Sequence, residues 1–222
     1  MCIRDSRIGA MVFSESLPIR SDEPPSTLGS LEELAQASRR IEAGLDIGDD
    51  MLRLLRGGSL GGARPKAPFA HDGRRFIAKF ASRGDDHDVE VIEAATLWLA
   101  ASCGIDVPSF LLQPLAVGHA LLVERFDRAG PLHDERRFHY LSASALLDVP
   151  YESSAGSYVE FAQWLRRNSA SPREDLLELF RRMVFNLAVG NSDDHVKNHG
   201  ALRDPESCLL YTSPSPRDLS TS

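Results

Sequence analysis

The sequence predicts an α+β protein of two lobes, a small one built on a mixed sheet with one important helix and a larger one that is mainly helical. Three observations lead there. Short β-rich runs in the first half surround a single long apolar helix, the second half carries two amphipathic helical stretches, and a polar cluster from Asn191 to Asn198 follows the last of them directly. With 42% of its 222 residues hydrophobic and 26% charged, the chain can bury the core of one large domain or two lobes.

Residues 7–13 read as a short strand, and residues 14–27, rich in Pro, Ser and acids, as a loop. Ser30 with Glu33 makes a capping box, after which Leu31, Leu34, Ser38 and Ile41 recur at helical spacing, so a helix should run over 31–43. Gly57, Gly58, Gly61 and Gly62 crowd one segment, and residues 74–80 form a strand in a hairpin around His71-Asp72-Gly73. From Val89 the positions Ile92, Ala95, Leu99 and Cys103 follow the helical period until Gly104, placed as a C′ residue, with Pro108 beyond it. Residues 109–114 and 120–126 are strands of a second hairpin around Val117-Gly118-His119.

Residues 158–167 are amphipathic, and Ser171-Pro172-Arg173-Glu174 offers an N-cap, a proline at N1 and a capping-box glutamate. The buried stripe predicted for that helix is Leu176, Leu179, Phe180, Met183, Val184 and Leu187, ending at Gly190, and Trp98, Trp164 and Phe180 read as core. Residues 1–6 and 211–222 lack a periodic apolar pattern and read as foreign or disordered ends, leaving lobes of 7–128 and 129–210.

Lysine plus arginine number 25 against 32 acidic residues, a formal charge of −7, so the surface should repel phosphate backbones and no direct nucleic-acid binding is expected. Cys2, Cys103 and Cys208 form no C-x-x-C pair, which fits a reducing, cytoplasmic setting. Residues 1–10 carry Arg4, Asp5 and Arg7 where a signal peptide needs an apolar stretch, and no membrane association is expected.

Phosphoryl transfer needs a carboxylate to orient the attacking hydroxyl, side chains that hold Mg²⁺, a lysine on the phosphates and a loop whose backbone can approach them. Protein kinases place four residues between the catalytic-loop aspartate and the metal-binding asparagine, and Asp193 and Asn198 have that spacing, whereas Asp194 stands one residue too close. Lys197 could neutralise γ-phosphate charge and His195 could brace the loop. Upstream, Ala78-Lys79 ends a strand pattern like the kinase V-A-I-K, with Glu90 and Glu93 in the next helix; Glu93 is the expected ion-pair partner of Lys79.

These residues resemble the HipA-like serine/threonine kinases of type II toxin–antitoxin systems. Ser59-Leu-Gly-Gly-Ala-Arg-Pro-Lys66 looks like that family's phosphate loop, Leu121-Leu-Val-Glu-Arg-Phe-Asp-Arg128 like its hinge, and Gly190-Asn-Ser-Asp-Asp-His-Val-Lys-Asn198 like its catalytic loop. The resemblance implies a bilobal protein-kinase-like fold with ATP between the lobes. It implies Gly61, Gly62, Ala63, Arg64, Pro65 and Lys66 over the phosphates, Lys79 on the α- and β-phosphates, and a hinge of Glu124, Arg125, Phe126 and Asp127. Glu124 and Phe126 would meet adenine and Asp127 the ribose. Asp193 would be the base, Asn198 would hold Mg²⁺, and Ser59 resembles the serine such kinases autophosphorylate. The implied partners are a cognate DNA-binding antitoxin and a protein substrate such as an aminoacyl-tRNA synthetase or translation factor.

Family members also carry a second magnesium aspartate beyond the catalytic asparagine; Asp204 lies too close to Asn198 and Asp218 in the aberrant tail, so the C-terminal part of the fold is expected to be incomplete. Most of the small domain that usually precedes this region is likewise expected to be missing. Three alternatives stand beside the kinase reading. They are a metal-dependent hydrolase using Asp85-Asp86-His87-Asp88 with Asp193-Asp194-His195, a small-molecule phosphotransferase, and a nucleotide- or partner-binding module without turnover.

Overall fold

The computed structural model describes residues 31–48, 64–150, 156–192, 194–203 and 210–214. Two compact units divide the chain: residues up to 94 together with 108–136, and residues 95–107 together with those from 137 onward. The expected strand at 7–13, the loop at 14–27, the Ser30 cap and the glycine-rich stretch through Ala63 lie outside the described residues.

In the first unit, β1 (Lys66–His71), β2 (Arg74–Phe80), β3 (Phe110–Pro114) and β4 (His119–Glu124) form a sheet in the order β1-β2-β4-β3. Each of its pairings is antiparallel, so the sheet predicted as mixed is not. The β1–β2 hairpin turns on Asp72 (φ 46°) and Gly73 (φ 73°), two consecutive left-handed residues whose twist matches that of the flanking strands. Period-two alternation along β2 sends Phe76, Ala78 and Phe80 to one face, where they pack with Leu34 and Ala35 of α1 (Leu31–Glu42) and with Ala67, Ala120 and Leu122. Lys79, of opposite parity, faces away from that cluster.

The helix α2 (Val89–Ser102) ends as its glycine requires: Gly104 (φ 74°) donates to the Ala101 carbonyl at 3.0 Å and Ile105 to that of Ala100 at 3.1 Å, a Schellman closure. Its phase differs from the expectation. Ile92, Ala95, Leu99 and Cys103 are exposed, and Trp98 is 67% exposed rather than core, whereas Glu90, Glu93, Ala94, Leu97 and Ala100 are buried. A helix apolar on nearly all sides has no unique amphipathic phase, and carboxylates that find cations can take the inner face.

In the second unit, β5 (His139–Ser142), β6 (His199–Arg203) and β7 (Leu210–Pro214) make an antiparallel sheet in that order. Residues 211–214, the first of the stretch expected to be foreign or disordered, are ordered as part of this strand, and residues 215–222 lie outside the described residues. Backbone pairing on the edge of β6 needs no apolar periodicity, which is why the pattern was silent. The helices are α3 (Ala143–Leu146), α4 (Tyr158–Asn168) and α5 (Pro172–Ala188), with Ala143, Phe161, Leu165, Leu179 and Val196 forming the core and Trp164 stacked on Phe161 at 6.3 Å.

The capping box predicted for α5 is not formed. Ser171 caps no backbone N–H through its side chain; Ser169 Oγ accepts from the Ser171 N–H at 2.9 Å and donates to Asp175. A side-chain N-cap opens α4, where Ser157 Oγ accepts from the Glu160 N–H at 3.2 Å and donates to the Glu160 carboxylate at 2.8 Å. On α5 the buried face carries Asp175, Leu179, Arg182 and Phe185, while Phe180 (57%), Val184 and Leu187 (75%) are exposed, correcting the predicted stripe. Two apolar stripes compete on this helix, and the one inside is the one that lets Arg182 reach Glu178 at 2.5 Å and the Asp106 carbonyl at 2.5 Å. Among the described residues no helix is long and apolar enough to cross a membrane.

Gly200 in β6 lies so close to its neighbour strand that a Cβ would stand 2.5 Å from the Leu141 carbonyl and 2.5 Å from the Tyr140 ring, whereas Gly84 has open space. Gly200→Ala is expected to destabilise the protein by about 1–3 kcal/mol and Gly84→Ala to stay within about 0.5 kcal/mol, read from denaturant midpoints.

Candidate active site

In the first unit the strand β2 aligns Lys79 opposite Leu121 of β4, and the opening turns of α2 carry Glu93 to it. The Lys79 ammonium donates to the Glu93 carboxylate, and both side chains are largely buried. A buried ammonium and a buried carboxylate are each costly alone and tolerable together. Glu90, one turn earlier on the same helix, goes elsewhere: its carboxylate lies 3.6 Å from the Arg64 guanidinium. At 2% exposure, burial pushes the Glu90 carboxyl up to about 6, with Arg64 opposing the shift and the charges of Asp85 and Asp88 adding to it.

Arg64, Pro65 and Lys66 lead into β1. Arg64 donates through both terminal nitrogens to Asp85, one bond at 2.9 Å, and Asp85 also accepts from the Ser82 N–H at 2.7 Å. The Pro65 carbonyl accepts from the Phe80 N–H at 3.2 Å, and Lys66 pairs in register with Lys79. Asp88 contacts His119 Nδ1 at 2.6 Å. Two of the acids in the 85–88 run are therefore engaged by an arginine and a histidine. Among the described residues no group of three or more His, Cys, Asp or Glu side chains converges as a metal site would require.

The hinge segment after β4 is an ion cluster. Asp127, 1% exposed, accepts two bonds from Arg125 at 2.9 and 2.7 Å and one from Arg128 at 2.8 Å. Arg128 Nε stands 3.5 Å and Arg75 Nε 2.5 Å from Glu135. Burial, then the neighbouring Arg125, pushes Arg128 down to about 10 against the opposing carboxylates. Glu124 and Phe126 are half-buried, and Arg74 reaches Glu124 at 3.2 Å. Of the four hinge residues predicted to meet the nucleotide, Arg125 and Asp127 thus face each other.

In the second unit α5 ends before Gly190 (φ 70°), and the chain turns through Asn191 into a single 3-10 turn, Val196–Asn198, before β6. Val196 anchors this loop in the core, Asn198 N–H donates to the His195 carbonyl at 2.8 Å, His195 is exposed, and Lys197 and Asn198 are half-buried. Asp193, Gly61, Gly62, Ala63 and Ser59 lie outside the described residues.

Sequence reasoning passed over a buried network here. Tyr158, on the first turn of α4, donates to Asp194 Oδ2; His199 Nε2 lies 2.8 Å from Asp194 Oδ1 and 2.9 Å from the Tyr158 oxygen. Burial alone would raise the Asp194 carboxyl, but hydrogen bonds from His199, Tyr158 and Asn186 outweigh it and hold the group below its usual range. Burial first, then the Asp194 carboxylate, pushes the Tyr158 phenol upward. Asp194 and His199, five positions apart, were visible in the sequence; nothing local points to Tyr158. Arg182, Asn186, Asn191, Asp194, Asn198 and His199 line a cavity of about 20 Å³ together with apolar residues.

Residues 58–214 match the family described as the HipA-like C-terminal domain. The chain belongs to that family. It is 32% identical over 245 aligned positions to "Putative kinase Y4mE" of Sinorhizobium fredii, an alignment covering 92% of this chain and 55% of that protein. Among solved structures it is similar to HipA in the Shewanella oneidensis MR-1 complex of HipA, HipB and operator DNA, with a TM-score of 0.66 at 22% identity, covering 94% of this chain and 53% of that one. It is also similar to the Helicobacter pylori proinflammatory kinase CtkA, with a TM-score of 0.54 at 17% identity over 70% of this chain and 53% of that one. The fold of this HipA-like chain is thus kinase-like, and the chain spans about half the length of the relatives it matches.

Two outcomes follow for the ionised groups. Asp127→Asn leaves Arg125 and Arg128 without their shared buried carboxylate and should cost about 3–5 kcal/mol in a chemical denaturation. Glu90 is raised on folding, so its effect favours the folded state below about pH 4.5 and is lost as pH climbs through about 6. Glu90→Gln should therefore gain stability relative to the parent across that window, reaching about 2 kcal/mol above pH 6, in melting curves recorded from pH 4 to 8.

Proposed function

We propose that this chain is the catalytic part of a HipA-like serine/threonine-protein kinase that transfers the γ-phosphoryl group of ATP to a protein hydroxyl. The observation that carries the reading is the Lys79–Glu93 ion pair, formed between a strand and the following helix in a chain whose family and fold relatives include kinases. A preformed pair holds the ammonium extended, ready for the α- and β-phosphates. Asn198, on a loop anchored by Val196, offers the amide oxygen suited to a hard cation, and Lys197 beside it offers charge for the transferring group. Mg²⁺ bound with ATP supplies neutralisation of phosphate charge.

In this scheme Asp193 accepts the proton of the substrate hydroxyl as its oxygen bonds to the γ-phosphorus and the bond to the β–γ bridging oxygen breaks, releasing ADP. His195 braces the loop. Gly61, Gly62, Ala63, Arg64, Pro65 and Lys66 cover the phosphates, Glu124 and Phe126 contact adenine, and Arg125 with Asp127 gives the hinge its shape. Ser59 is the site of self-phosphorylation, where added charge beside the glycine-rich segment would silence the enzyme. The partners are a protein substrate, such as an aminoacyl-tRNA synthetase or translation factor, and a cognate DNA-binding antitoxin. The antitoxin is supported by the relative solved with HipB and operator DNA. The protein acts in the cytoplasm.

Intact-mass spectrometry after incubation with Mg·ATP tests the reading. The parent should gain one phosphate, mapped to Ser59, while Lys79→Met and Asp193→Asn should slow incorporation by about 10²-fold or more. A parent chain that gains none while still binding ATP overturns the assignment of transfer.

A further inference from the structure

Resting on that reading, we infer that Tyr158 and His199 are positioning residues that, through Asp194, hold in place the loop that carries Lys197 and the metal-holding Asn198. Asp194 directly follows Asp193, and His199 directly follows Asn198. The Asp194–His199 bond at 2.8 Å therefore ties together the two ends of the segment that carries Lys197 and Asn198, and Tyr158 closes the tie from a different helix.

The hydrogen-bond directions are determined by what each group can give. An ionised carboxylate only accepts, and Tyr158 has one proton, which goes to Asp194 Oδ2. His199 Nε2 must then carry a proton, shared between Asp194 Oδ1 and the Tyr158 oxygen. Each donor thus has an acceptor and both carboxylate oxygens are filled. The His199 ring is 4% exposed and meets the Tyr158 ring edge-on at 5.0 Å, so neither side chain can swing away into water while keeping its contacts.

Both ends of the clamp are seated by backbone fit. Gly156, two residues before Tyr158, has φ 96°, and a Cβ there would come within 2.9 Å of the Val196 side chain inside the loop. Gly200, directly after His199, lies against the Leu141 carbonyl with no room for a Cβ. The start of α4, the loop and the start of β6 are thus held at van der Waals distance, and the polar network orients what packing has brought close.

The test is the single-turnover rate of self-phosphorylation of the full chain and of Tyr158→Phe, His199→Gln and His199→Ala, each below its own melting temperature. Tyr158→Phe keeps the ring and removes only the hydroxyl. Its rate constant at saturating ATP is expected to fall about 10- to 100-fold, with the ATP concentration for half-maximal rate within about twofold and that of Mg²⁺ raised several-fold. His199→Gln, whose amide can donate to Asp194, should recover at least a third of the rate lost in His199→Ala. A Tyr158→Phe variant with the parental rate constant and Mg²⁺ dependence overturns the positioning role while leaving the kinase reading intact. A parent chain without phosphoryl transfer overturns the kinase reading and this role with it.

Discussion

A charged side chain inside a small domain must meet its opposite, and that constraint organises this protein. Lys79 enters the interior because β2 is a paired central strand, and Glu93 occupies the inner face of α2 because it can meet that lysine. The same rule puts Asp127 between Arg125 and Arg128, Arg64 on Asp85 and Glu90, and Arg182 on Glu178. Replacing such pairs with apolar residues would often be neutral for stability, so their value lies in specificity of arrangement. They choose which face of a helix is inside where apolar patterning leaves the choice open.

The loop after α5 shows the same rule in a polar setting. It begins at a left-handed glycine, is fastened once by an apolar side chain, Val196, and once by the Asp194–His199–Tyr158 network. Rigid flanking elements and satisfied hydrogen bonds let a short polar loop hold a defined shape without secondary structure of its own. This is the physical basis on which Asp194 and His199, five apart in sequence, are held at hydrogen-bond distance.

Much of the fold was legible because its signals were local. The Asp72-Gly73 turn, the stop at Gly104 and the boundaries of α1, α2, α4 and α5 rest on glycine, proline and periodicity. That Lys79 would meet a glutamate of the following helix was also legible, from the order of strand and helix, and the pair formed is the expected one with Glu93. Three things were not. The inner faces of α2 and α5 were misjudged because each helix carries more apolar surface than one core contact uses. The strand at Leu210–Pro214 was missed because edge pairing is a backbone property, and the cap of α5 because Ser171 and Ser169 compete for the same helix end.

What the sequence by itself determined is the inventory and its order: a lysine strand, an acidic helix, a charged hinge, and an Asp-x-x-x-x-Asn loop behind a long helix. Those follow from residue type and short-range spacing, which act within a few residues of the chain. What only the tertiary structure decided is which charges meet. Glu90 went to Arg64, Asp127 was enclosed by two arginines, and Tyr158 was brought to Asp194 from 36 residues away. Pairing across such separations depends on how helices and strands pack to exclude water, and no local pattern encodes that outcome.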